Sequence, residues 1–139
     1  MGVPQGSPLS PVLSIIYTSA LLHKMATWNN SSLGMYVDDG ILFACADTWD
    51  GVTTLLHARY IVCDKWLHRS GMSIEPDKME VMFFQDPNLR KHIPLPRTLT
   101  HPNTDGLSYV VRPSETLRYL GFFFHFCLKW EPHVLIMCN

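Results

Sequence analysis

The chain has 139 residues, of which 47% are hydrophobic and 12% aromatic, a composition that predicts about one globular domain and excludes a disordered or low-complexity protein. The formal net charge is -1, so the chain as a whole lacks the strongly basic character of many nucleic-acid-binding domains. More than half of the Lys and Arg residues nevertheless lie after residue 89, which gives the C-terminal part a mild positive bias.

The chain has four widely spaced cysteines, Cys45, Cys63, Cys127 and Cys138. None belongs to a CxxC pair, and this pattern is typical of free thiols in a reducing, intracellular compartment. Cys127, Cys138 and His133 lack the tight pair that zinc sites normally contain, so they are a weak candidate for a zinc site. No signal peptide is evident, and the apolar run at residues 11–22 is too short to span a bilayer, so we expect no membrane partner.

The first predicted element is a helix over residues 12–25. A loop rich in Gly and Pro, GVPQGSPLSP, precedes it, with Ser10 as the predicted N-cap and Pro11 as the first helical residue. Apolar residues surround nearly the whole helix, which predicts burial on most sides. One predicted stripe consists of Leu13, Ile16, Tyr17 and Ala20, and it is widened by Val12, Ile15 and Leu22.

Two adjacent acids, Asp38 and Asp39, interrupt the apolar segment MYVDDGILFA. Short β-prone runs at residues 33–37 and 40–44 flank them and predict a hairpin. Turn propensity alone places a two-residue turn at Asp39-Gly40, because this dipeptide accommodates positive φ angles.

A second helix is predicted after the hairpin, with Asp47 as its cap and Gly71 as its stop signal. Its predicted buried face consists of Val52, Leu55, Leu56, Val62, Cys63 and Trp66, and Arg59 interrupts that face. The four tryptophans are predicted to be packing residues rather than platforms for stacked bases; they are Trp28, Trp49, Trp66 and Trp130.

The remaining segments predict strands and one long loop. A short strand at residues 72–75, a turn at Pro76-Asp77 and a strand at residues 79–84 are followed by a loop over residues 86–106. The segment LSYVV predicts one strand, and TLRYLGFFFHFCLKW predicts a hairpin. The order of elements predicts an α+β fold in which an antiparallel sheet is covered on one face by two helices.

The paired acids at Asp38 and Asp39 need an explanation, because no Lys or Arg lies between Lys24 and Arg59. Two like charges about 4 Å apart repel by roughly 4 kcal/mol at the effective dielectric of a protein surface. A shared proton, a distant basic side chain or a bound cation would offset this repulsion, and a solvated turn is the simpler alternative.

Several segments resemble, in chain order, the motifs of a reverse transcriptase palm. YVDD (residues 36–39) resembles the catalytic YxDD hairpin, and GVPQGSPLSPVLSIIY (residues 2–17) resembles the loop and helix just upstream of it. GMSIEPDKMEVMFF (residues 71–84) is similar to the motif that follows, and LRYLGFFF (residues 117–124) is similar to the strand pair called the primer grip.

The branch of the family is indicated by two details of these motifs. The PQGSPLSP form of the loop and the segment LKWEPHV (residues 128–134) resemble non-LTR (LINE-type) retrotransposon polymerases. Intron-encoded reverse transcriptases are the nearest alternative.

The resemblance implies specific roles for residues of this chain. It moves the hairpin turn to Val37-Asp38 and makes Asp38 and Asp39 catalytic ligands of Mg²⁺ or Mn²⁺, whose preference for hard oxygen ligands suits carboxylates. It makes Lys78 the acid that protonates the departing pyrophosphate. Residues implied to contact nucleotide or template are Tyr36, Gln5 and Gly6. Residues implied to form the primer grip are Leu120, Gly121 and Phe122.

In the family a third carboxylate lies on a palm strand upstream of the PQG loop. We therefore expect residues 1–139 to be a partial reverse transcriptase domain (palm) that lacks the fingers, the first catalytic strand and the thumb. The intact enzyme would use an RNA template, a DNA primer and dNTP, whereas the isolated chain is expected to be inactive or nearly so. The alternatives are a non-enzymatic retroelement remnant, which folds or binds a partner weakly, and a small metal-binding protein unrelated to polymerases.

Overall fold

The structure, a computed structural model, describes residues 6–84, 98–102 and 108–137, and the chain divides into two compact units, residues 1–73 and residues 74–139. The first unit contains helix α1 (Ser10–Ala26), strands β1 (Ser31–Tyr36) and β2 (Asp39–Ala44), and helix α2 (Trp49–Arg69). The second contains a 3-10 turn (Pro76–Lys78), strands β3 (Leu99–Pro102), β4 (Ser108–Val111), β5 (Thr116–Tyr119) and β6 (Phe122–His125), and helix α3 (Glu131–Met137).

The strands of the described residues form three antiparallel pairs, β1–β2, β3–β4 and β5–β6. The predicted α+β class is confirmed, although the strands form small separate pairs rather than one continuous sheet. No helix among residues 6–84, 98–102 and 108–137 is long and apolar enough to cross a membrane.

The core of the first unit lies between its hairpin and its two helices. Leu21, Met25 and Cys63 are buried there, and they are joined by partly buried apolar side chains from both strands, from α2 and from the segment after α1, namely Trp28, Leu33, Met35, Leu42 and Trp66. Helix α1 packs on β1 and helix α2 packs mainly on β2. The prediction of a hairpin packed on two helices is therefore confirmed.

Helix α1 buries a much narrower stripe than its sequence predicts. The side chains that face the hairpin recur at helical spacing, at Ser14, Thr18, Leu21 and Met25. The predicted stripe of Leu13, Ile16, Tyr17 and Ala20 is exposed, and Ile16 retains 64% of its accessible surface. The prediction of burial on most sides is wrong for this unit because a two-stranded hairpin is wide enough to cover only one side of a helix.

The start of α1 also differs from the prediction. Ser10 is the first helical residue rather than the N-cap, and the N-cap is Leu9, whose side chain makes no capping hydrogen bond. Ser7 takes over part of this task, because its hydroxyl accepts a hydrogen bond from the Leu9 N–H and its carbonyl accepts one from the Ser10 N–H. These bonds satisfy backbone donors that the first helical turn leaves without partners.

Helix α2 begins at a threonine cap and ends as predicted. Thr48, not Asp47, is the N-cap, and its side chain accepts a hydrogen bond from the Gly51 N–H. Gly71 follows the helix with a φ of +73°, the left-handed conformation that favours glycine after a helix. The interrupting Arg59 is partly buried, with its guanidinium 3.8 Å from the centre of the Trp28 ring. Arg59 therefore belongs to the packing of the first unit.

The second unit departs more from the prediction. The predicted strands at residues 72–75 and 79–84 are absent, apart from one isolated bridge between Val81 and Pro113. The predicted loop over residues 86–106 contains β3 at Leu99–Pro102, and its residues 86–97 and 103–106 lie outside the described part of the chain. The turn at Pro76-Asp77, the strand in LSYVV and the β5–β6 hairpin are confirmed.

Helix α3 is not predicted from the sequence, and the prediction for Trp130, the residue just before it, is wrong. Trp130 keeps 67% of its surface exposed, so it is not a buried packing residue. The other three tryptophans are partly buried, in agreement with the prediction.

The buried thiol of Cys63 gives a prediction for stability at alkaline pH. Burial, and secondarily the negative charge of Asp64, raise the pKa of Cys63 from 9.0 to about 11. The unfolded chain then ionises this thiol before the folded chain does, so the free energy of unfolding falls by roughly 3 kcal/mol as the pH rises through the unfolded-state pKa and the folded-state pKa. The loss is absent below the unfolded-state pKa.

We therefore expect the stability difference between the wild-type chain and Cys63→Ala to shrink as the pH rises from about 9 to about 11. Urea unfolding followed over this range checks the prediction, and the variant serves as the control for the other groups that titrate there. Parallel pH profiles for the two proteins would contradict it.

Candidate active site

The turn of the first hairpin is formed by Val37 and Asp38. Tyr36 pairs with Asp39 across the turn, and Met35 pairs with Gly40. The turn expected from propensity at Asp39-Gly40 is therefore wrong, and the register implied by the resemblance is confirmed. Because the register moves by two residues, Asp38 lies in the turn itself and Asp39 begins β2.

Val37 adopts a conformation that its residue type disfavours. Its φ is +58°, and a β-branched residue in this region is strained by about 1–3 kcal/mol. Helix α1 helps to hold it, because the Ser14 hydroxyl donates a hydrogen bond of 3.2 Å to the Val37 carbonyl. Backbone strain of this kind is concentrated at functional sites.

Ser14 is a residue of the site that the sequence interpretation missed. It lies on the buried stripe of α1 one turn before Thr18, so two small polar side chains stand where the rest of the stripe is apolar. Ser14 and Thr18 are four residues apart and therefore lie on one face of α1. This pair of polar residues could have identified that face as the one that contacts the hairpin tip.

The two carboxylates at the tip are adjacent and exposed. Asp38 and Asp39 are both accessible to solvent, and among the described residues neither carboxylate has a hydrogen-bond or ion-pair partner. Their oxygens are thus free to bind a ligand, and hard anionic oxygens on a short turn fit the preference of Mg²⁺ or Mn²⁺. No cluster of three or more His, Cys, Asp or Glu residues that could hold a metal ion occurs in the described parts of the chain.

Of the residues implied to contact nucleotide or template, the structure describes Tyr36 and Gly6. Tyr36 lies at the end of β1 beside the acids, with its side chain 63% exposed. Gly6 lies shortly before α1 and has a φ of +84°, a conformation that glycine adopts without strain. Gln5 lies outside the described residues.

The remaining predicted site residues belong to the second unit. Lys78 ends the 3-10 turn and its side chain is exposed. Leu120 and Gly121 form the turn between β5 and β6, and Phe122 begins β6. Both turn residues have positive φ, +49° and +84°, which is the signature of a type I′ turn.

The strained Leu120 gives a prediction for the second hairpin. Asparagine tolerates the left-handed conformation better than leucine, and Asn-Gly is the preferred pair in a type I′ turn. We expect Leu120→Asn to stabilise the hairpin by about 1 kcal/mol. Amide hydrogen exchange in β5 and β6 that requires opening of the hairpin should then be about fivefold slower. Leu120→Ala is the control, because alanine also removes the exposed side chain and keeps the strain. Equal exchange rates in the two variants would contradict the prediction.

The weak zinc candidate among Cys127, His133 and Cys138 receives no support from the described residues. His133 uses its Nδ1 atom to accept a hydrogen bond from the Phe123 N–H, and Cys127 is a free thiol. Cys138 lies outside the described residues.

Comparison with known proteins shows the family of this chain. The model of the family described as reverse transcriptase (RNA-dependent DNA polymerase) matches residues 1–124, which include the first hairpin and the β5–β6 hairpin except for its last residue, His125. The chain therefore belongs to the reverse transcriptase family. Comparisons with curated proteins and with solved structures found no match.

Proposed function

We propose that this chain is the palm part of an RNA-directed DNA polymerase and that the hairpin tip at Val37-Asp38 is its metal-binding catalytic site. The observation that carries the proposal is the register of this hairpin, which brings Asp38 and Asp39 together at an exposed, strained tip beside α1. Family membership supports polymerase chemistry, and the exposure of both acids supports access for a metal ion and a nucleotide.

In this proposal Asp38 and Asp39 supply two of the ligands for Mg²⁺ or Mn²⁺. When bound, the divalent ions stabilise the attacking and leaving oxygens during displacement at phosphorus. The short turn and the Ser14 bond to Val37 fix the backbone that carries the carboxylates. Exposed Tyr36, on the same hairpin, would line the space for nucleotide and primer end.

The residues of the second unit have complementary roles in the proposal. Lys78 would give a proton to the departing pyrophosphate, a role that an exposed ammonium can fill. The turn at Leu120-Gly121 and the start of β6 at Phe122 would position the primer strand. An RNA template, a DNA primer and dNTP are the corresponding partners. The PQGSPLSP loop and the LKWEPHV segment support an origin in a non-LTR retrotransposon.

We further propose that the 139-residue chain does not extend a primer alone, since the tip supplies two acids and the two-metal site of the family takes a third. A chimeric reverse transcriptase tests the proposal, with residues 1–124 in place of the matching segment of an active family member. We expect Mg²⁺- or Mn²⁺-dependent primer extension by the chimera and none by the isolated chain. Processive extension by the isolated chain, or a chimera that folds and binds primer–template without extending it, would contradict the proposal.

A further inference from the structure

His133 joins helix α3 to strand β6. Its Nδ1 atom accepts a hydrogen bond of 3.2 Å from the backbone N–H of Phe123. Its ring stacks on the Phe122 ring with 5.5 Å between the ring centres, and Trp130 meets it edge-on at 5.8 Å. The His133 side chain thus makes all three contacts, at the place where α3 packs on β6.

The hydrogen bond satisfies a donor on the outer edge of the hairpin. Tyr119 pairs with Phe122 next to the two-residue turn, and Arg118 pairs with Phe123. The pair that closes such a turn is hydrogen-bonded and the next pair is not, so the Phe123 N–H points away from β5. Helix α3 packs on β6 here, and Nδ1 of His133 supplies a partner for this donor.

We propose that His133 is a positioning residue that holds the β5–β6 hairpin against α3 only while its imidazole is neutral. An imidazole accepts a hydrogen bond at Nδ1 only when that nitrogen carries no proton, so the neutral ring here has its proton on Nε2. Protonation places N–H groups on both nitrogens, and the Phe123 N–H then faces another donor. Histidine is the side chain best suited to such a change near neutral pH.

The elements that pack together here carry several charged and titratable groups. Arg118 of β5 has its guanidinium 5.7 Å from the Phe123 ring centre, Lys129 precedes α3, and Glu131 lies in the first turn of α3. His125 of β6 makes its own local hydrogen bond, in which its Nδ1 accepts from the Cys127 N–H at 3.3 Å. The contact that a proton on Nδ1 of His133 changes directly is its hydrogen bond with the Phe123 N–H.

The attachment of α3 to β6 by His133 does not depend on the proposed function. An effect of His133 protonation on primer positioning rests on the proposed function. If the hairpin is a primer grip, its turn at Leu120-Gly121 lies at the end of the element that His133 holds. Protonation of His133 would then loosen the grip and weaken primer binding at low pH.

Nuclear magnetic resonance on the full 139-residue chain tests the attachment directly. At about pH 8 we expect the His133 proton on Nε2 and a protected Phe123 amide. At about pH 5 we expect that protection to fall at least tenfold after correction for the intrinsic exchange rate, together with a change in Trp130 fluorescence. His133→Asn retains a side-chain acceptor without a titrating ring, so its Phe123 protection should be independent of pH. His125→Asn is the matched control and should behave as the wild-type chain does.

A proton on Nδ1 of His133 at about pH 8, or Phe123 protection that does not change with pH, would overturn the proposal. Primer affinity of a second chimera, in which the segment taken from this chain extends to residue 139 and so includes α3, separates this inference from the proposed function when it is measured at both pH values with and without His133→Asn. If Phe123 loses protection at low pH while primer affinity stays constant, the positioning of the hairpin by His133 stands and its assignment as a primer grip fails.

Discussion

Asn in place of Asp38 is expected to abolish primer extension by the chimeric polymerase, with a loss of at least about 1000-fold in rate, or about 4 kcal/mol in the activation barrier. The amide preserves the size of the side chain and its place in the turn, but it removes the negative charge that binds a divalent ion. Because Asp38 is exposed, its replacement should leave the folding of the hairpin intact. Single-turnover primer extension in Mg²⁺ and in Mn²⁺ measures the effect.

The matched control for this substitution is Asp47→Asn. Asp47 is also an exposed acid of the first unit, and its side chain does not cap α2, so the control makes the same change in charge away from the tip. We expect it to extend primers at close to the unsubstituted rate. A near-normal rate for Asp38→Asn would show that the metal site has been assigned to the wrong residue.

Truncation of Leu21 to Ala is expected to destabilise the first unit by about 2–5 kcal/mol. Leu21 is 1% exposed and packs with Met25 and Cys63, so the shortened side chain leaves a cavity between α1, the hairpin and α2. A loss of this size is a large fraction of the stability of a small domain. Urea unfolding followed by the fluorescence of Trp28 and Trp66, both of which border this core, measures it.

Leu13 of the same helix provides the control for Leu21. The two residues are of the same type, but Leu13 is 49% exposed, so Leu13→Ala should cost well under half as much. This pair also tests the stripe that the structure assigns to α1 against the stripe that the sequence predicts. Equal destabilisation by the two substitutions would contradict the packing described for the first unit.

The parts of the fold that could be predicted from the sequence are those set by local signals. The first hairpin was evident from two β-prone runs with polar residues between them, and the end of α2 from Gly71. The β5–β6 hairpin was evident from β-prone residues on both sides of Leu120-Gly121. The positions of Asp38 in the turn and of Asp39 at the start of β2 were not evident from propensity, because propensity favours Asp-Gly and the actual turn contains a strained valine held by Ser14.

Features that depend on contacts distant in sequence were predicted poorly. The apolar residues around α1 are compatible with several buried faces, and only the contact with the hairpin selects the stripe of Leu21 and Met25. The run at residues 79–84 has strand-like composition, but a strand requires a partner, and only Val81 forms a bridge. The role of His133 depends on a hydrogen bond to Phe123, ten residues away, which no local pattern indicates.

Binding of Mn²⁺ to the 139-residue chain shows whether the hairpin tip holds a divalent ion, because the paramagnetic ion broadens the amide resonances nearest to it. We expect broadening centred on residues 36–40 that is lost in Asp38→Asn and retained in Asp47→Asn. Broadening centred elsewhere, or unchanged by Asp38→Asn, would show that the acids at the hairpin tip do not hold a divalent ion.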